Sequence, residues 1–130
     1  MIEEEFSRAQ QTIAGATGFS PSLLRAPFGV RWFGFRRIQR RLRLLGIMWT
    51  VLGYDWKRPS QIVVDRVKAG IANGAIICLH DGRQLRVKPD ISPTLEAVRI
   101  LVPLIQEQGY RLETVSQLLC PTNSSSASAT

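Results

Sequence analysis

The sequence predicts an α/β chain in which parallel strands alternate with helices, and three observations carry that prediction. Apolar runs of strand length recur at residues 23–24, 47–51, 75–79 and 110–112, and segments with helical spacing separate them. The run Ala75-Ile76-Ile77-Cys78-Leu79 is apolar at every position, as expected of a parallel strand buried on both faces. Strands and helices in strict alternation are the signature of a parallel sheet.

Taken in order, residues 3–14 read as a helix with Glu3, Glu4 and Glu5 in its first turn, where they complement the helix dipole, and with Gly15 and Gly18 ending it. Leu23-Leu24 is a short strand leading into the loop Arg25-Ala26-Pro27-Phe28-Gly29. Residues 32–45 then form an amphipathic helix. Phe35, Ile38, Leu42 and Leu45 fall within an arc of roughly 80°, and Arg36, Arg37, Arg40, Arg41 and Arg43 cover the rest. Gly46 closes it, and Ile47-Met48-Trp49-Thr50-Val51 is the second strand. Pro59 and Ser60 open a third helix through Val63, Val67 and Ile71, closed by Asn73-Gly74. After the strand at 75–79 and a polar loop from Asp81 to Asp90, Ser92 is placed to cap a helix with Pro93 at its first position. Pro103 inside that helix predicts a kink or break. Gly109 stops it, and Tyr110-Arg111-Leu112 makes a last strand before a turn of helix at 115–119.

The 130 residues fit one domain with no room for a second sizeable core. The segment from Asn123 to Thr130 has no large apolar residue, and residues 121–130 are expected to be a disordered Ser/Ala-rich tail. Met1-Ile2-Glu3-Glu4-Glu5 has neither the basic start nor the apolar stretch of a secretory signal, and no run approaches the ~18 apolar residues of a membrane span. A soluble chain is therefore expected. Cys78 and Cys120 form no CxxC pair and read as buried hydrophobes.

Seventeen Lys and Arg against ten Asp and Glu give a formal charge of +7, and the six arginines between Arg31 and Arg43 account for all but +1 of it. A solvated helix face is the plain reading of that cluster. The other is a surface for polyanions, either nucleic acid or an anionic glycan; nucleic acid is the less favoured, because aromatic side chains do not interleave with the arginines. His80 is the single histidine, so no self-contained site needing two histidines can form, and no metal site is assigned in this chain.

Polar signals gather at the C-terminal ends of successive strands, the edge where α/β folds place their active sites. Arg25 follows the first strand, Tyr54-Asp55-Trp56 the second and His80 the third. An imidazole suits proton transfer near neutral pH, and Asp55 is a candidate partner that fixes its tautomer. Each has a plainer reading: His80 as a strand cap, Asp55 as a turn aspartate, Trp56 as core cover and Arg25 as an exposed loop arginine.

At these residues the sequence resembles the polysaccharide deacetylases, carbohydrate esterases of the NodB homology type that strip N- or O-acetyl groups from chitin, peptidoglycan and related polymers. Arg25-Ala26-Pro27-Phe28-Gly29 is similar to the family's Arg-x-Pro-Tyr/Phe segment, Leu52-Gly53-Tyr54-Asp55-Trp56 to Asp-x-x-Asp-Trp, and Cys78-Leu79-His80-Asp81 to Leu-x-His. The likeness runs from about residue 3 to 119.

The resemblance implies the C-terminal half of a distorted (β/α) barrel, with residues 1–120 a partial deacetylase domain. It implies His80 as general acid, Asp55 as the aspartate tuning it, and Arg25 as the residue orienting the catalytic base. Trp56, Phe28, Tyr54 and Leu79 would line the substrate, an acetylated polysaccharide. In the complete family domain a divalent metal, usually zinc, is held by one Asp and two His. This chain has no Thr-Phe-Asp-Asp-Gly segment and a lone histidine, and Leu52 replaces the first Asp of Asp-x-x-Asp-Trp. The expectation is thus a partner-dependent half-site, a hydrolase for carbon–nitrogen bonds other than peptide bonds that needs a missing N-terminal segment for its metal and base. The compartment stays open, since complete family members are often cell-envelope or extracellular proteins. The competing reading is a non-catalytic module that binds polyanions through the arginine-rich helix.

Overall fold

A computed structural model of the chain describes residues 2–29, 33–82 and 87–119. The chain separates after Met48 into two compact units. The first holds α1 (Ile2–Thr17), β1 (Leu23–Leu24), a 3-10 turn (Pro27–Gly29), α2 (Phe35–Leu42) and β2 (Leu45–Gly46). The second holds β3 (Val51–Leu52), α3 (Ser60–Gly70), β4 (Ile77–Cys78), α4 (Ser92–Glu107) and α5 (Val115–Leu119).

In the first unit α1 carries its three glutamates in the first turn and runs past Gly15. It ends at Gly18, whose φ of 76° is a conformation open to glycine at little cost, and whose N–H bonds the Ala14 carbonyl at 2.8 Å. The Phe6 ring meets buried Phe35 edge-on at 6.1 Å, and the Gln10 amide donates to the Pro21 carbonyl at 2.9 Å and more weakly to that of Leu42. Parallel strands β1 and β2 pair Leu23 with Leu45 and Leu24 with Gly46.

The second helix is shorter than its apolar spacing predicts. It starts after Gly34 and stops at Arg43, which turns left-handed at φ 52°, so that Leu44 N–H bonds the Gln39 carbonyl at 2.8 Å. That turn rotates the chain, burying Leu44 and leaving Leu45 52% exposed in β2 rather than on the helix face. The expected helix start at Arg31 and Trp32 lies outside the described residues.

In the second unit α3 and α4 pack together over the strand pair. Their shared core is Val51, Val63, Val64, Val67, Ala97, Leu101 and Ile105, with Ile71, Ile77, Leu79, Leu104 and Tyr110 packed against it. Removing this much apolar surface from water is the chief stabilising term for the unit. Strands β3 and β4 are parallel, with Val51 opposite Ile77 and Leu52 opposite Cys78. Gly53 continues the ladder, its N–H bonding the Cys78 carbonyl at 3.1 Å. A Cβ on Gly53 would press on the Leu79 and Val63 side chains, which would have to shift to admit it.

Three expectations about local structure are corrected. The strand expected at 47–51 is instead the end of one ladder and the start of another, because a strand exists only where it finds a partner. Ile47 N–H bonds the Leu24 carbonyl in the first unit, whereas Val51 pairs in the second. Residues 110–112 form no strand: Tyr110 N–H is used to bond the Ile105 carbonyl and close α4 after Gly109. Ser92 does not cap α4; the Asp90 carboxylate does so from two residues earlier, accepting from the Ser92 N–H at 2.9 Å and its hydroxyl at 2.6 Å. Pro103 is accommodated within α4 without ending it. Cys120 and the segment 121–130 lie outside the described residues. Among the described residues no helix is long and apolar enough to cross a membrane.

Candidate active site

The β3–β4 register decides what meets at the strand ends. With Gly53 bonded beside Cys78, the next residues on each chain are Tyr54-Asp55-Trp56 and Leu79-His80. The Asp55 side chain turns inward and is fully buried. A carboxylate there needs donors for its lone pairs, and several reach it. Its Oδ2 accepts from the His80 backbone N–H and the Thr94 hydroxyl, each at 2.7 Å, and its Oδ1 lies 2.9 Å from His80 Nδ1. Burial pushes the Asp55 carboxyl up. The hydrogen bonds from the His80 ring, the Thr94 hydroxyl and the His80 backbone outweigh it and hold the group below its ordinary value. Asp55 is therefore an anion throughout the neutral range.

An anionic acceptor at Oδ1 requires a proton on His80 Nδ1. The backbone contact and the ring contact come from one residue to one carboxylate, which fixes both where His80 starts and where its ring points. The ring remains 38% exposed, and Nε2 is the nitrogen not engaged by the carboxylate. Trp56 stands edge-on to the imidazole with centroids 4.5 Å apart, and Tyr54 tilts against Trp56 at 5.1 Å. Tyr54 is left-handed at φ 57°, a strained conformation for an aromatic residue. The Arg66 guanidinium lies 4.6 Å from the centre of the Tyr54 ring, and its Nε reaches the Leu52 carbonyl at 3.4 Å. Such a cluster can hold one tautomer and present a proton at a wall of aromatic surface.

Of the residues singled out in the sequence, Asp55, His80, Trp56 and Tyr54 are thus brought together, and half-buried Leu79 packs into the adjoining core. Arg25 and Phe28 belong to the first unit. There Arg25 donates to the Met48 carbonyl at 3.3 Å, and Phe28, left-handed at φ 55°, is 98% exposed. Two contributors were not legible in the sequence. Thr94 arrives from the first turn of α4, and Arg66 from α3; neither stands near the site along the chain.

The donor set does not fit the metal implied by the resemblance. Among the described residues no three His, Cys, Asp or Glu side chains gather to hold an ion, both Asp55 oxygens are already taken, and His80 is the single histidine of the sequence.

No protein-family model matches the chain. It is 29% identical to a chitooligosaccharide deacetylase of Bradyrhizobium sp. over 90% of its own length and 57% of that protein. It is 26% identical to a peptidoglycan-N-acetylglucosamine deacetylase of Listeria monocytogenes over 90% of its length and 23% of that protein. The chain therefore spans between about a quarter and just over half of these curated relatives. Among solved structures, a CE4 family pseudoenzyme from Bacillus anthracis superposes with a TM-score of 0.80 at 27% identity, over 91% of this chain and 39% of that one. A family 4 carbohydrate esterase from Streptomyces lividans, in complex with acetate, gives 0.75 at 28% identity over 87% and 55%. The α/β arrangement of parallel strands and helices is accordingly similar to part of each of these solved structures. The homologues and structural neighbours of this chain are the polysaccharide deacetylases of carbohydrate esterase family 4, matched over about nine-tenths of its length.

Proposed function

We propose that this chain supplies the proton-donating side of a polysaccharide deacetylase site, with His80 as the general acid. The observation that carries the reading is the His80–Asp55 pair: a buried carboxylate fixes Nδ1, and Nε2 is left to deliver a proton. In the reaction named for the relatives, water adds to the acetyl carbonyl, forming a carbon–oxygen bond. The carbon–nitrogen bond then breaks, and the departing nitrogen takes the proton from His80 Nε2. Acetate and the free amino sugar result. Asp55 holds the tautomer and the orientation of the ring for the transfer. Trp56 forms the wall beside the acid, with Tyr54 behind it, and Leu79 is assigned to lining the substrate as the resemblance implies.

Activation of the water is assigned by the resemblance to a divalent metal and an aspartate base. Because the donor set for that metal is not among these residues, the isolated chain is expected to be inactive. The substrate class is an acetylated carbohydrate polymer of the chitin or peptidoglycan type. In the first test, acetate release from a chitin oligomer by the 130-residue chain stays at the buffer level with or without divalent metal; robust metal-dependent release overturns the half-site reading. In the second, residues 2–119 replace the matching segment of the Bradyrhizobium deacetylase. Activity of the folded chimera should fall about 10²-fold or more on His80→Ala, and an unchanged rate removes His80 as the acid.

A further inference from the structure

We infer that the arginine face of α2 is a binding surface for an acidic carbohydrate polymer. Arg36, Arg40 and Arg43, with Gln39, Leu44 and Leu45, line an open basin of about 520 Å³ on the first unit. Arg36 to Arg43 spans roughly 10 Å along the helix, the reach of about one disaccharide. Their neighbour Arg41 is paired with Glu3 at 3.1 Å, whereas among the described residues no carboxylate pairs with Arg36, Arg37, Arg40 or Arg43.

A merely solvated helix face does not account for this arrangement. Arg36 and Arg37 occupy the first turn, which holds no acidic residue, so they face the positive end of the helix dipole. Arg36 and Arg40, like Arg37 and Arg41, stack equal charges one turn apart, where they repel. Arg36 and Arg37 thus carry charge where it weakens the helix until an anion neutralises it, whereas Arg40 and Arg41 lie in the last turn, where the dipole favours them. Guanidinium forks suit carboxylate and sulfate groups by paired hydrogen bonds. Among the described residues that line the basin, leucine and glutamine stand between the arginines and none is aromatic, so these residues supply no stacking platform of the kind single-stranded nucleic acid uses. The choice of a carbohydrate over other polyanions rests on the deacetylase reading; the anionic character rests on α2 alone.

The test measures binding of a polygalacturonate oligomer, a neutral chitin oligomer and single-stranded oligothymidylate by calorimetry at low and high salt. Polygalacturonate should bind the tightest and weaken as salt rises. Joint replacement Arg36→Gln, Arg40→Gln and Arg43→Gln should reduce its affinity about tenfold or more. Replacing Arg58, Lys68 and Arg99 by Gln, which removes the same charge from exposed positions of the second unit, should cost less than about threefold. The His80→Ala chain should bind unchanged, which separates this inference from the catalytic one. No binding of polygalacturonate, equal loss in both triple variants, or tighter binding of oligothymidylate overturns it.

Discussion

Replacing Asp55 by Asn changes the chemistry of the pair while keeping its shape. The amide oxygen can take the place of Oδ2 and still accept from the His80 N–H and the Thr94 hydroxyl, both 2.7 Å away. The amide nitrogen then faces His80 Nδ1 across the 2.9 Å contact, and it can only donate. The imidazole must therefore accept at Nδ1, and its neutral form must carry the proton on Nε2. Three bonds to a charged acceptor become neutral ones, a loss of about 1 kcal/mol each. The smaller desolvation penalty of an amide returns about 1–2 kcal/mol. The net cost is on the order of 1–2 kcal/mol, or roughly 3–10 °C in Tm for a chain of this size. Because the sequence has one histidine, long-range ¹H–¹⁵N NMR shows a single imidazole whose nitrogen shifts report the tautomer directly. The neutral ring should be protonated on Nδ1 in the parent chain and on Nε2 in Asp55→Asn. The same tautomer in both refutes the claim that Asp55 sets it.

Thr94→Val removes one donor from a buried carboxylate and should cost about 1.5–3 kcal/mol in urea unfolding, with Thr94→Ser retaining most of the stability; a neutral Val beside a costly Ser would show that the methyl group, not the hydroxyl, matters. The folded-state pKa of Asp55 lies below its ordinary value of 3.8, so its contribution to stability is complete above that value and is lost as pH falls through the lowered one. The urea midpoint of the parent chain should thus drop more steeply below about pH 4 than that of Asp55→Asn, and parallel profiles contradict this. Gly53→Ala places a methyl group on the Leu79 and Val63 side chains and should cost about 1–3 kcal/mol, measured by thermal unfolding; a neutral result means that the β3 end yields.

Asp55 and His80 were legible in the sequence because an apolar run ends just before each, and a parallel strand delivers the following residue to one sheet edge. Their partnership was suggested by residue type and resemblance, since 25 positions separate them along the chain. Thr94 could not be found that way. It lies 39 positions from Asp55 and meets it only because α4 packs over β3 and α3, so its sequence neighbourhood reports a helix start and nothing more.

Local pattern determined which segments are helical, that the chain is α/β, which edge carries the polar residues and where the charge is concentrated. These follow from spacing, turn residues and burial preference, all of which act between near neighbours. Strand limits were decided by tertiary structure, because the apolar run at 47–51 divides between two ladders, while Tyr110 gives its N–H to a helix end. The full set of donors around Asp55 was decided there as well, since a buried carboxylate is satisfied by whatever groups the packing brings within hydrogen-bond reach.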